Sequence, residues 1–177
     1  MKQLKLVIDE IRIGRVLQHG RSTERAMGII SAFRSEYSHD QNIARSQKMA
    51  SELRQHGFGY SFIDGEWTEN PGTPDETRVK EDSIFIMGKD TDDGTLKDLM
   101  GKLATEYDQE AFVYKPKESI TAKLIFQNGD EMDIGQMHIN TIGDVISRLK
   151  NKPGSFTFEG MRFDSGWIDK LIEVHKK

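Results

Sequence analysis

The sequence contains no cysteine. That single absence removes disulfides, iron–sulfur clusters, thiolate zinc sites and thiol nucleophiles together. Proline is scarce, four in 177 residues, and no apolar run reaches the 18 residues a membrane helix needs. The first ten residues set Lys, Asp and Glu into their apolar stretch, so neither a membrane span nor a secretory signal is expected and the expected setting is cytoplasmic. Excess positive charge is missing as well: 25 Lys and Arg stand against 29 Asp and Glu, a formal net charge of −4. Coating nucleic acid takes a cationic field that displaces counterions from phosphates, so this balance argues against nucleic acid as the partner. No Gly-x-Ser-x-Gly elbow and no Gly-x-x-x-x-Gly-Lys-Ser/Thr phosphate loop occurs. The five histidines, at 19, 39, 56, 138 and 175, include no pair spaced to set two imidazoles on one helical face. No metal and no cofactor is expected, and no complete catalytic motif is present.

What remains is a composition of 36% hydrophobic and 31% charged residues in a length that suits one domain over 1–177. Leu4, Val7, Ile8 and Ile11 share a helical face, predicting a flanking helix at 2–18. The apolar run 26–33 reads as a first core strand. Ser38-His-Asp-Gln41 has the form of a capping box, and Ile43, Ala50 and Leu53 follow at helical spacing until Gly57, predicting a helix at 40–56. Phe58, Tyr60 and Phe62 alternate with small or polar residues, a loop with two prolines and a glycine spans 70–76, and 83–87 is again apolar: two strands. The acidic stretch 90–93 favours a helix start, with Leu96, Leu99, Leu103 and Tyr107 on one face of a helix at 95–107, and 111–114 reads as a strand. Asn128-Gly129 between two alternating segments is a hairpin signal. Beyond it, Thr141-Ile-Gly-Asp144 predicts a short helix through Leu149, 155–159 a strand and 167–176 a last helix.

The order strand, helix, strand, strand, helix, strand over 26–116 is the split βαβ pattern of ferredoxin-like folds. The expected fold is therefore α+β, a ferredoxin-like core extended over 120–177 by a hairpin, a strand and helices.

Three segments suggest chemistry. His56-Gly-Phe-Gly-Tyr-Ser-Phe62 resembles the first ribonucleoprotein motif of RNA-recognition domains, whose exposed rings stack on bases. A half-buried strand with core aromatics explains the same residues better. Asp90-Thr-Asp-Asp-Gly94 starts like a calcium loop but misplaces its glycine and lacks the closing glutamate, so helix-dipole compensation is the better account. The third is a polar cluster where the first strand meets the next helix: Arg34, Glu36, Asn42 and Arg45. Two guanidinium forks beside a helix N-terminus suit a phosphate or carboxylate, with Glu36 orienting an arginine or acting as a base. Ion pairing of Arg34 with Glu36, and a loop tied down by Asn42, is the structural alternative. Trp67, flanked by Glu66 and Glu69 beside the proline-containing loop, suits an anchor for a protein partner.

Ser31-Ala-Phe-Arg34, Asn42, Arg45, Leu53, Gly57, Gly65, Glu81, Ser83 and Gln109, in that order, resemble a family of small uncharacterised proteins of tailed bacteriophages, and are similar to a bacterial domain of unknown function. The resemblance covers roughly 26–115 and implies an infected bacterial cytosol. It supplies no activity. With no catalytic motif in hand, the reading placed first is an interaction protein docking on a host or phage protein through Glu66, Trp67 and Glu69. The alternative is a binding protein or small enzyme for a phosphorylated or nucleotide-like small molecule held by Arg34, Glu36, Asn42 and Arg45. A nucleic-acid-binding module comes last.

Overall fold

Ser38 has extended backbone angles, its hydroxyl accepts the Gln41 N–H, and the Gln41 side chain accepts the Ser38 N–H. This reciprocal pair satisfies two otherwise orphaned donors and starts helix α1, His39–Gln55. The helix closes on Gly57 at φ +77°, with Gly57 N–H on Arg54 O and Phe58 N–H on Leu53 O, a Schellman stop that glycine takes without strain. Helix α2, Thr95–Glu106, begins differently. Its N-cap is Gly94, which has no side chain to offer, so Asp92 reaches forward and its Oδ1 accepts the N–H groups of Gly94 and Leu96. The acidic stretch thus serves the helix N-terminus.

The computed structural model describes residues 18, 20–69, 74, 77–139, 146–149 and 155–158, with backbone only for 64–69, 77–81, 138–139 and the last two segments. Eight strands and these two helices are described: β1 Met27–Ser31, β2 Gly59–Glu69, β3 Thr77–Met87, β4 Ala111–Lys115, β5 Thr121–Phe126, β6 Glu131–Ile139, β7 Ile146–Leu149 and β8 Ser155–Phe158. Every pairing is antiparallel. The order β2-β3-β1-β4 with α1 and α2 as crossovers is the ferredoxin-like split βαβ core. The β5–β6 hairpin adds to its β4 edge, and β7 and β8 bridge β6 to β2, closing an eight-stranded barrel that leaves no open sheet edge. Among the described residues no helix is long and apolar enough to cross a membrane.

Strand periodicity divides the core in two. Ile30, Ile84, Ile86, Phe112 and Tyr114 face the helices and pack with Met49, Leu53, Leu96, Met100 and Leu103. Their neighbours Ile29, Phe85 and Val113 turn the other way and meet Met27, Ile63, Leu124, Ile134 and Met137 inside the barrel. Gly28 lets α2 lie close on β1, since a Cβ there would fall 2.1 Å from the Met100 sulfur. A shift of register between Ala122 and Lys123, opposite Gly135 at φ +73°, supplies the bulge that bends the sheet toward closure.

The core follows the sequence pattern closely, with three differences. β2 and β3 are eleven residues each, twice the expected length, because cross-strand pairing runs on through Asp64–Glu69 where charged residues hide the alternation. Ile146–Leu149 is a strand where a helix is predicted: it fills the gap between β2 and β8, and tertiary pairing overrides the local capping signal. The aromatics of the motif resembling a ribonucleoprotein are packing groups. Phe58 is buried, Tyr60 and Phe62 lean on the helix-side core, and Arg54 covers the Tyr60 ring. The helices expected at 2–18 and 167–176 lie outside the described residues, except for Gln18.

Candidate functional site

β1 and β4 run antiparallel, so the loop leaving β1 and the loop entering β4 meet at one end of the sheet. There the first loop presents Arg34, Glu36 and Tyr37, α1 presents Asn42 and Arg45, and the second loop presents Tyr107, Asp108 and Gln109. All four residues expected from sequence come together here.

Asn42, buried, holds the first loop in shape. Its Oδ1 accepts the Arg34 N–H at 2.9 Å, and its Nδ2 donates to Arg34 O at 2.9 Å and Tyr37 O at 3.3 Å. Arg34 spans the two loops: Nε donates to Glu36 Oε1 at 2.8 Å, Nη1 to Asp108 O at 2.7 Å, and Nη2 lies 3.1 Å from Asp108 Oδ2. The Arg34 guanidinium hydrogen-bonded to it holds the Glu36 carboxyl below the usual carboxylate range, so Glu36 is an anion at neutral pH and a weak proton acceptor.

Arg45 is held differently. Nε donates to Ala32 O at 2.8 Å and Nη2 to Tyr107 O at 2.7 Å, while the guanidinium carbon lies 4.6 Å from the Tyr37 ring centre and 5.3 Å from that of Tyr107. The Tyr107 hydroxyl donates to Glu52 Oε1 at 2.9 Å, and burial followed by this bond pushes its phenol pKa up. Gln109 Nε2 donates to Phe33 O and Tyr107 O, a second tie between the loops. Carboxylates, tyrosine faces and guanidinium forks are thus fixed on one small area.

The sequence pattern did not single out Tyr37, Tyr107 and Asp108 as site residues. The signal lay at the end of α2. Gln109 N–H reaches Ala104 O and Asp108 N–H reaches Thr105 O, the same stop that ends α1, yet the left-handed position is Asp108 at φ +54° where glycine is the usual choice. An aspartate kept there faces Arg34. Asp108→Gly is expected to stay within about 1 kcal/mol of wild-type stability, because relief of the backbone offsets an exposed ion pair. Thermal unfolding checks this, and a loss above about 2 kcal/mol would contradict it.

The residues expected to form a protein interface stand elsewhere. Trp67 pairs with Val79 inside the β2–β3 ladder, and Glu66 pairs with Lys80 and with Ile146 of β7, so both sit in the barrel wall and not at a strand end. Glu69 is the last residue of β2. The side chains of all three lie outside the described residues.

A ferredoxin-like core closed into a barrel, with charged and aromatic groups gathered beyond the end of β1, defines an α+β protein that presents a polar cluster at one sheet end. The model of the S-adenosylmethionine lyase family matches residues 28–167, and the chain belongs to that family. Two solved structures are similar to it: a phage SAM lyase in complex with S-methyl-5'-thioadenosine, at 13% identity and a TM-score of 0.34 over 62% of this chain and 87% of that one, and a phage SAM lyase in the apo state, at 14% identity and 0.33 over 62% and 86%. No curated protein matches the chain.

Family membership corrects the reading placed first from the sequence. This is a family named for an enzyme acting on a small molecule, which overturns both the interaction protein and its protein partner docked at Glu66, Trp67 and Glu69. It also replaces a family without an activity by one named for an activity. Of the sequence readings, the small-molecule alternative stands nearest.

Proposed function

We propose that this protein is a lyase that cleaves S-adenosylmethionine, and that the cluster of Arg34, Glu36, Asn42 and Arg45 with Tyr37, Tyr107 and Asp108 is where the substrate sits. The family match over residues 28–167 carries the activity. The chemistry of the substrate fits the cluster. S-Adenosylmethionine carries a sulfonium and an ammonium, which the exposed Tyr37 ring and the carboxylates of Glu36 and Asp108 attract, and an α-carboxylate, which takes a guanidinium fork. Of the two anions the sequence suggested, phosphate and carboxylate, the substrate supplies the carboxylate.

A lyase breaks a carbon–sulfur bond here without water. Release of S-methyl-5'-thioadenosine, the molecule held by a solved phage SAM lyase, requires the bond from sulfur to the γ-carbon of the amino-acid chain to break. Its electron pair passes to sulfur, which leaves as a neutral thioether. The four-carbon fragment restores its valence by losing a β-proton or by closure of its own carboxylate onto the γ-carbon. Glu36, the carboxylate nearest to a base here, is already engaged by Arg34, whereas ring closure needs no base from the protein and is favoured. Such a reaction needs no nucleophile from the protein, and a soluble metabolite as substrate supports a cytosolic setting.

Calorimetric titration with S-methyl-5'-thioadenosine tests the reading. Saturable one-to-one binding is expected, with added stability of about 2.7 kcal/mol at a hundredfold excess over Kd. No binding of this nucleoside or of S-adenosylmethionine would remove it.

A further inference from the structure

Arg34 and Arg45 are a contrast in charge. Arg34 faces two carboxylates, Glu36 and Asp108, and is neutralised where it stands. Arg45 is half-buried, and among the described residues it makes no ion pair: its polar partners are the neutral carbonyls of Ala32 and Tyr107. Those two bonds use two of the five guanidinium N–H groups and lock the plane of the fork. Tyr37, 40% exposed, lies over it from the loop that Asn42 holds, and Tyr107 borders it from the second loop. Glu36, paired with Arg34, acts on Arg45 only at longer range, so a half-buried cation with no carboxylate bonded to it is stabilised when an anion arrives. A fork already held by backbone loses little freedom when one does.

On the reading given under Proposed function, we propose that Arg45 seats the α-carboxylate of S-adenosylmethionine through the free edge of its guanidinium, with the Tyr37 ring closing over it. Arg34 then serves as the brace between the loops. S-Methyl-5'-thioadenosine has no carboxylate, so Arg45 distinguishes substrate from product: the nucleoside loses its strongest ionic anchor as soon as the carbon–sulfur bond breaks, which eases its release. A purely structural Arg45, stitching Ala32 to Tyr107, would not tell the two ligands apart.

The test compares Arg45→Met and Arg45→Lys with the wild-type chain, measuring KM and kcat for S-adenosylmethionine, Kd for S-methyl-5'-thioadenosine and Tm. The expected result for Arg45→Met is a KM raised by roughly ten- to a hundredfold, the size of a lost charge-assisted hydrogen bond, with a nucleoside Kd within about twofold of wild type. Arg45→Lys falls between. Equal weakening of both ligands, or no change in either, would overturn the proposal while leaving the lyase reading intact, because the wild-type chain still turns over substrate. A wild-type chain that neither binds nor cleaves S-adenosylmethionine would bring down the lyase reading and this assignment with it. If Arg45→Met does not fold, Arg45→Lys decides by the same ratio of the two ligands. Failure of both variants to bind the nucleoside would make Arg45 structural and overturn the assignment.

Discussion

Replacing Lys115 with methionine lowers stability by about 3 kcal/mol at neutral pH, the largest single-site loss expected outside the apolar core. Lys115 is the last residue of β4 and is fully buried. Its ammonium donates to the carbonyls of Ser22 at 2.6 Å, Arg25 at 2.7 Å, Ser119 at 3.1 Å and Pro116 at 3.3 Å. One side chain therefore binds the segment before β1 to the turn after β4, where Glu118 N–H adds a bond to Thr23 O. Methionine has the volume but no donors, and it leaves these carbonyls short of partners in a buried place. The pH dependence has a definite sign. Burial pushes the Lys115 pKa down to about 8, below its value in the unfolded chain, near 10.4. Between those values the unfolded chain holds more protons than the native one, so this group makes wild-type stability rise with pH, by at most about 1.4 kcal/mol per unit. The methionine variant lacks that contribution. Urea unfolding of both proteins at pH 7 and pH 9.5 reads the result: the gap between them widens at the higher pH. A gap that stays constant or shrinks would mean that the surrounding carbonyls outweigh burial and the amine stays charged.

Asn42→Ala is expected to cost about 2–3 kcal/mol, for the loss of three hydrogen bonds from one buried amide. The effect on the site goes further, since these bonds shape the loop carrying Arg34, Glu36 and Tyr37. At a temperature where the variant is fully folded, kcat/KM for S-adenosylmethionine falls by at least about tenfold, as a loosened loop costs orientation. Asn42→Asp keeps the acceptor for Arg34 N–H but turns a carboxylate oxygen toward two carbonyls, so it does no better than alanine. Wild-type turnover in a folded Asn42→Ala protein would detach this loop from catalysis.

Much of this fold is legible in local sequence because its signals are local. The capping box at Ser38 and Gln41 forms as written, Asp130 N–H bonds Asn128 Oδ1 in the Asn-Gly turn with Gly129 at φ +90°, and the order of elements over 26–116 gives the split βαβ core. Closure of the barrel is not local. β7 exists because β2 and β8 leave a gap between them, and no feature of Thr141–Asp144 reports that gap. The site divides in the same way. Arg34, Glu36, Asn42 and Arg45 lie close in sequence and could be grouped by eye, whereas Tyr107 and Asp108 come to them across 62 and 74 residues of chain. The function was the least legible part. On the proposed reaction the leaving group is already activated in the substrate as a sulfonium, so the protein has no need of a triad, a metal or a phosphate loop. Absence of such motifs therefore does not separate a lyase of this kind from a binding module.

Incubation of the purified chain with S-adenosylmethionine labelled with carbon-13 in the methyl group, followed by mass spectrometry, tests the central claim most directly. The account predicts S-methyl-5'-thioadenosine carrying the label, together with an unlabelled four-carbon product in equal amount and with no added co-substrate. Intact substrate after long incubation, or label appearing on any acceptor other than the thioadenosine, would contradict it.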